Sequence, residues 1–72
     1  MGIPAYNEEN NIASIITKLK KVTDSIIVCD DGSSDMTAEI SRNLGAIVIR
    51  HDKNRGYGAA INTIFQKAAE IE

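Results

Sequence analysis

Short β-branched runs alternate along this chain with stretches of helical period, and that alternation leaves few folds open. Ser25-Ile26-Ile27-Val28-Cys29 is a continuous apolar run that suits a strand covered on both faces, and Ala46-Ile47-Val48-Ile49 reads as the next buried strand. Ile3-Pro4 marks a first strand that can only be very short. Between the first two strands, Ile12, Ile15, Ile16, Leu19 and Val22 recur at helical spacing. Asn7 is the expected cap of that helix, with Glu8 and Glu9 in its first turn and Lys18, Lys20 and Lys21 toward its end, each charge matching the helix dipole. Thr37, Ala38, Ile40, Ser41 and Leu44 predict a second helix with Ile40 and Leu44 inward, closed by Gly45 in a left-handed cap. A third helix over Ala59 to Ile71 puts Ile61, Ile64, Phe65, Ala68 and Ile71 on one face.

The element order is therefore β-α-β-α-β-α. Such alternation with short connections implies a Rossmann-like α/β fold in three layers, with right-handed crossovers and a parallel sheet in spatial order 3-2-1. The 72 residues suffice for one small domain, and a chain near this size buries only ~60% of its unfolded surface. In parallel sheets of this kind the ligand lies outside the carboxyl ends of the strands. Three polar segments gather at that rim: Pro4–Glu8, Asp30–Asp35 and the loop from His51 to Gly58.

Composition narrows the chemistry further. With 43% hydrophobic and 25% charged residues the chain is neither disordered nor fibrous. Its formal net charge of −2 argues against nucleic acid as a partner, because phosphate binding favours a basic excess. One cysteine and one histidine exclude an internal disulfide, a cysteine zinc cluster and a histidine-rich metal site, so any metal would need oxygen ligands. No apolar run reaches the ~18–20 residues of a membrane span, and no signal-peptide core follows Met1. A cytoplasmic setting is the expectation.

Asp30 and Asp31 stand side by side after a buried strand, where like charges repel unless a cation or hydrogen-bond donor meets them. Asp35 is placed to cap the following helix while Asp31 faces a pocket. An EF-hand loop is excluded because Gly32 occupies a ligand position, and a receiver-type acidic pair would follow the first strand, not the second. Gly56-Tyr57-Gly58 lacks the third glycine of the dinucleotide fingerprint, yet it puts small residues at a helix start, where N–H groups can meet phosphate. Lys53 and Arg55 precede it. Tyr6, in a polar turn, offers a ring that can stack on a base. His51 reads as a loop residue without chemistry and Cys29 as a small buried apolar residue.

Three segments together resemble the start of a family 2 glycosyltransferase of the dolichyl-phosphate mannose synthase and polyprenyl-phosphate sugar transferase type. They are Ile3-Pro4-Ala5-Tyr6-Asn7-Glu8-Glu9, Val28-Cys29-Asp30-Asp31-Gly32-Ser33-Ser34-Asp35-Met36-Thr37, and Asn54-Arg55-Gly56-Tyr57-Gly58-Ala59-Ala60. The resemblance implies the nucleotide-binding half of a glycosyltransferase A-type fold, with residues 1–72 as one truncated nucleotide-sugar-binding subdomain. It implies that Pro4, Tyr6 and Glu8 line the base and ribose pocket, that Asp31, beside Asp30, accepts from a base N–H, and that Cys29 lies under the base. Arg55 and Gly56 would meet the diphosphate. The implied partner is a UDP- or GDP-sugar. The family's Asp-x-Asp, which holds Mg or Mn, does not occur in the chain, so neither metal ligands nor catalytic residues are expected here, and the resemblance implies that the parent enzyme supplies them, at the cytosolic face of a membrane. The alternative is a stand-alone module that binds nucleotide or assembles without catalysis. An open sheet edge at Ile3 further predicts a homo-oligomer, through that edge or by segment exchange.

Overall fold

The computed structural model describes residues 1–71 and has six elements: β1 (Gly2–Ala5), α1 (Ile12–Leu19), β2 (Ile27–Asp30), α2 (Thr37–Asn43), β3 (Ile47–Arg50) and α3 (Tyr57–Ile71). All strand pairs are parallel, and β2 is central in the order β1-β2-β3, the expected 3-2-1 read from the other side. Gly2 stands opposite Ile27 and Ala5 opposite Asp30, while Ile27 faces Ile47 and Asp30 faces Arg50. The three strands therefore end level with one another, and their carboxyl ends form a single rim.

Alternation along β2 divides the core in two. Val28 packs with Ala5, Ile12, Ile16, Ile26 and Ala46 on the side covered by α1 and α2. Ile27 and Cys29 pack with Ala60 and Ile64 of α3 on the other. The sheet is thus the middle of three layers. No helix among the described residues is long and apolar enough to cross a membrane.

The elements differ from their sequence expectations in instructive places. The first helix begins at Ile12 and not behind Asn7, because the N–H groups of residues 7–9 are engaged elsewhere. Asn7 takes a left-handed φ of 51° and donates its N–H to Ser33 Oγ at 2.7 Å. Glu8 N–H donates to Thr37 Oγ1 at 2.8 Å and Glu9 N–H to Asp35 Oδ2 at 3.2 Å. Glu8 O then accepts from Asn11 and Ile12, which starts the helix. The loop after β1 is consequently fastened to the loop after β2, and Val22, expected on the buried stripe, lies beyond α1 and is exposed.

The third strand is less buried than the sequence suggested, with Val48 and Ile49 only partly covered. It is an edge with a single neighbouring strand, and Ile47 is 39% exposed, while Val48 packs toward the α1 and α2 side and Ile49 toward Ala60 and Ile64 of α3. Phe65 and Ile71 of α3 are likewise exposed, since the short sheet gives α3 a narrow seam that Ala60 and Ile64 fill. Gly45 ends α2 with the expected positive φ, 92°.

Candidate functional site

A cavity of ≈ 340 Å³ opens at the rim where the strands end. Pro4, Ala5 and Tyr6 enter it from the end of β1, Asp31 from the end of β2, and Asn54, Gly56, Tyr57 and Ala60 from the approach to α3 and its first turn. Two tyrosine rings stand largely in solvent at this cleft, Tyr6 at 48% and Tyr57 at 73% exposure. Asp31 beside them is buried to 5%.

The two adjacent aspartates have different surroundings because consecutive side chains leave a strand on opposite faces. Asp30 is wholly buried. Its Oδ1 accepts from Ser33 N–H at 3.2 Å, and its Oδ2 lies 3.5 Å from Arg50 Nε without a hydrogen bond. Arg50 also donates to Ser33 O at 2.7 Å, so this pair holds the turn after β2 in shape. The cation expected beside the acidic pair is therefore Arg50, and it serves Asp30 alone.

Asp31 receives three N–H donors. Its Oδ1 accepts from His51 Nδ1 at 2.7 Å and from Arg55 N–H at 2.9 Å, and its Oδ2 accepts from Gly56 N–H at 2.9 Å. The His51 hydrogen bond, then the Arg55 N–H, outweigh burial and hold the Asp31 carboxyl below the usual carboxylate range. A carboxylate of this kind is a fixed acceptor. Asp35 behaves similarly at the start of α2: burial pushes it up, but hydrogen bonds from the Thr37 hydroxyl, Thr37 N–H and Glu9 N–H together hold it low. The predicted division of labour, Asp35 at the helix and Asp31 at the pocket, matches the geometry.

His51 lies in the loop after β3, as expected, but it is 7% exposed and its ring is held by hydrogen bonds on both sides. Because ionised Asp31 only accepts, Nδ1 of His51 carries the proton between them. On the far side of the ring, Nε2 lies 2.9 Å from Thr63 Oγ1 and 3.7 Å from Cys29 Sγ. The sequence signal was present in the spacing: His51 follows a strand that lies beside Asp31's own strand, so the sheet brings the two ends together.

Of the residues the resemblance assigned to nucleotide, Pro4, Tyr6, Asp31 and Gly56 share the cleft. Glu8, Asp30, Cys29 and Arg55 do not line it. Glu8 makes its loop contacts through its backbone N–H and carbonyl, and Cys29 is buried against Ala60, its thiol pushed up by burial and then by the charges of Asp31 and Asp30. Gly56 N–H is occupied by Asp31 and so is not free for a phosphate. The exposed Arg55 side chain lies 3.6 Å from Asp52. Asn54 and Tyr57 line the cleft without having been singled out for it, although they stand in the third quoted segment.

Gly32 holds the two loops together. Its φ is +80°, and a Cβ there would stand 2.5 Å from the carbonyl carbon of Lys53 and 2.6 Å from Asn54 N. Only glycine lets the turn after β2 lie this close to the loop after β3 that carries Asn54, Arg55 and Gly56.

A divalent cation does not fit these residues. Asp30 and Asp31 point apart, Asp31 is surrounded by donors, and no group of three or more His, Cys, Asp or Glu side chains among the described residues is placed to hold a metal.

A parallel three-stranded sheet between helices, with its cleft at the carboxyl edge, is the Rossmann-like half of a glycosyltransferase A-type fold. Residues 1–70 match Glycosyl transferase family 2, and the chain belongs to that family. Among curated proteins it is 48% identical over 62 residues to an uncharacterized protein of Methanocaldococcus jannaschii, covering 85% of this chain and 26% of that protein. It is 45% identical over 58 residues to the dolichyl-phosphate hexose transferase of Haloferax volcanii, covering 78% of this chain and 25% of that one. With the UDP-N-acetylglucosamine–dolichyl-phosphate N-acetylglucosaminyltransferase of Methanococcus voltae the identity is 36% over 87 aligned residues, 96% of this chain and 35% of that enzyme. The chain thus spans between a quarter and about a third of these relatives' lengths. No solved structure matches it significantly.

Proposed function

We propose that the cleft holds the nucleoside of a nucleotide-diphosphate sugar, UDP- or GDP-linked, and that the enzyme of which this chain forms part transfers that sugar. The observation that carries this reading is Asp31: a carboxylate kept ionised by three fixed donors, facing a cleft with one exposed aromatic ring on the loop after β1 and another at the start of α3. A planar base can lie against Tyr6 or Tyr57 while its ring N–H donates to Asp31. The names of the Haloferax and Methanococcus relatives, a dolichyl-phosphate hexose transferase and a UDP-N-acetylglucosamine–dolichyl-phosphate N-acetylglucosaminyltransferase, support the same direction. Mg or Mn, where the parent enzyme uses it on the diphosphate, would be held by residues other than these. Arg55, exposed beside the cleft, is the residue here suited to the diphosphate.

Calorimetric titration of the chain with UDP and GDP tests this reading. Binding of at least one is expected, weakened about tenfold or more by Asp31→Ala, since a hydrogen bond to a charged group is lost. Tyr57→Ala, at an exposed position that folding does not need, should cost about 1–3 kcal/mol of affinity if a base stacks there. Unchanged affinity in both variants would refute the assignment.

A further inference from the structure

We propose that His51, backed by Thr63, sets the base preference of this cleft by leaving Asp31 a single free acceptor site, which selects the imide N–H of uracil over the paired donors of guanine. The inference rests on the nucleotide-binding reading above. A carboxylate offers about four lone-pair positions, two on each oxygen. On Oδ1 both are taken, by His51 Nδ1–H at 2.7 Å and Arg55 N–H at 2.9 Å. On Oδ2 one is taken by Gly56 N–H at 2.9 Å. One position remains, on the carboxylate that lines the cleft.

Guanine presents a ring N–H and an amino N–H side by side, a pair that suits both oxygens of a free carboxylate. Here the second donor finds Oδ1 filled. Uracil presents one ring N–H between two carbonyls, which one acceptor satisfies. Its carbonyls need donors, and the exposed Asn54 side chain, which makes no hydrogen bond among the described residues, lines the same cleft. Cytosine lacks the ring N–H altogether and would set an acceptor against an acceptor.

His51 is the part of this arrangement that chemistry can remove. The Arg55 and Gly56 donors are backbone groups, whereas the His51 ring is a side chain held at 7% exposure by Thr63 Oγ1 at 2.9 Å behind it. Without the ring, Oδ1 regains an acceptor position and the penalty against guanine falls. His51 acts through Asp31, so it is a positioning residue.

The test is competitive calorimetry of the chain with UDP, GDP and CDP. UDP is expected to bind at least about tenfold more tightly than either, a factor of ten being about 1.4 kcal/mol. In His51→Ala the UDP-to-GDP ratio should collapse toward one, and in His51→Gln, which keeps a donor, it should largely persist. A purely structural role for His51 would weaken both nucleotides equally. GDP binding as tightly as UDP to the unmodified chain overturns this inference and leaves the nucleotide site standing; no binding by any of the three overturns both. Should His51→Ala fail to fold, the tautomer decides on the unmodified chain: nitrogen NMR showing Nδ1 protonated supports the proposal, and a bare Nδ1 overturns it.

Discussion

Replacing Gly32 by alanine should damage stability and the cleft together, and the structure supplies the size of the effect. At φ +80° an L-residue is strained by roughly 1–2 kcal/mol. The new methyl would also stand 2.5 to 2.8 Å from three backbone atoms of Lys53 and Asn54, well short of the 3.4–4 Å of ordinary contact. Those atoms cannot rotate away, so the whole approach to Asn54, Arg55 and Gly56 must move, an overpacking cost of about 1–3 kcal/mol. The sum, ~2–5 kcal/mol, is a large part of the stability of a domain this size, which at ~0.05–0.15 kcal/mol per residue is small. Gly58→Ala is the matched control: it lies in α3 with nothing within 4 Å of the added carbon, and alanine there should add up to about 1 kcal/mol. Urea unfolding followed by circular dichroism measures both. A Gly32→Ala chain within 0.5 kcal/mol of the parent (about the scatter of surface substitutions) would refute the argument, as would a Gly58→Ala chain that loses as much.

Stability should also fall in acid. Asp31 and Asp35 are both held below their ordinary value of 3.8 in the folded chain. A depressed folded value means their contribution is complete above the unfolded value and lost as pH falls through the folded one. The urea midpoint is therefore expected to be level near neutrality and to drop below about pH 4, with a shallower drop in Asp35→Ala; a midpoint that rises on acidification contradicts this. Self-association is expected too, because β1 and β3 both leave an open edge, and Pro4 removes only one donor from the first. Light scattering over a dilution series should show a mass above the 7.8 kDa monomer at high concentration, and a monomer throughout would rule it out.

Much of this architecture was legible in the residues. Ile27, Val28 and Cys29 lie on the buried central strand because a parallel strand needs apolar residues on both faces, which a sequence displays directly. Ile12 and Ile16 declare their helix by spacing for the same reason. What a single sequence does not display is competition between loops. Asn7 has the right chemistry for a helix cap, yet Ser33, Ser34, Thr37 and Asp35 offer its segment better partners from elsewhere in the chain. His51 was missed for a related reason: its environment is made by Asp31, Thr63 and Cys29, none of them its sequence neighbour. Ile47, Phe65 and Ile71 look like core by period, but a sheet of three short strands has too little area to cover them.

The central claim is that nucleotide binds at the carboxyl edge of the sheet, over Asp31. Backbone amide NMR of the chain during titration with UDP tests it most directly. Shifts are expected to concentrate at Ala5, Tyr6, Asp31 and Asn54 through Tyr57, with Arg55 and Gly56 amides prominent because both donate to the Asp31 carboxylate. Shifts gathered instead around Met1, Ser25, Ile47 and Ile71, the smaller cavity at the opposite end of the strands, or no shifts at saturating nucleotide, would contradict it.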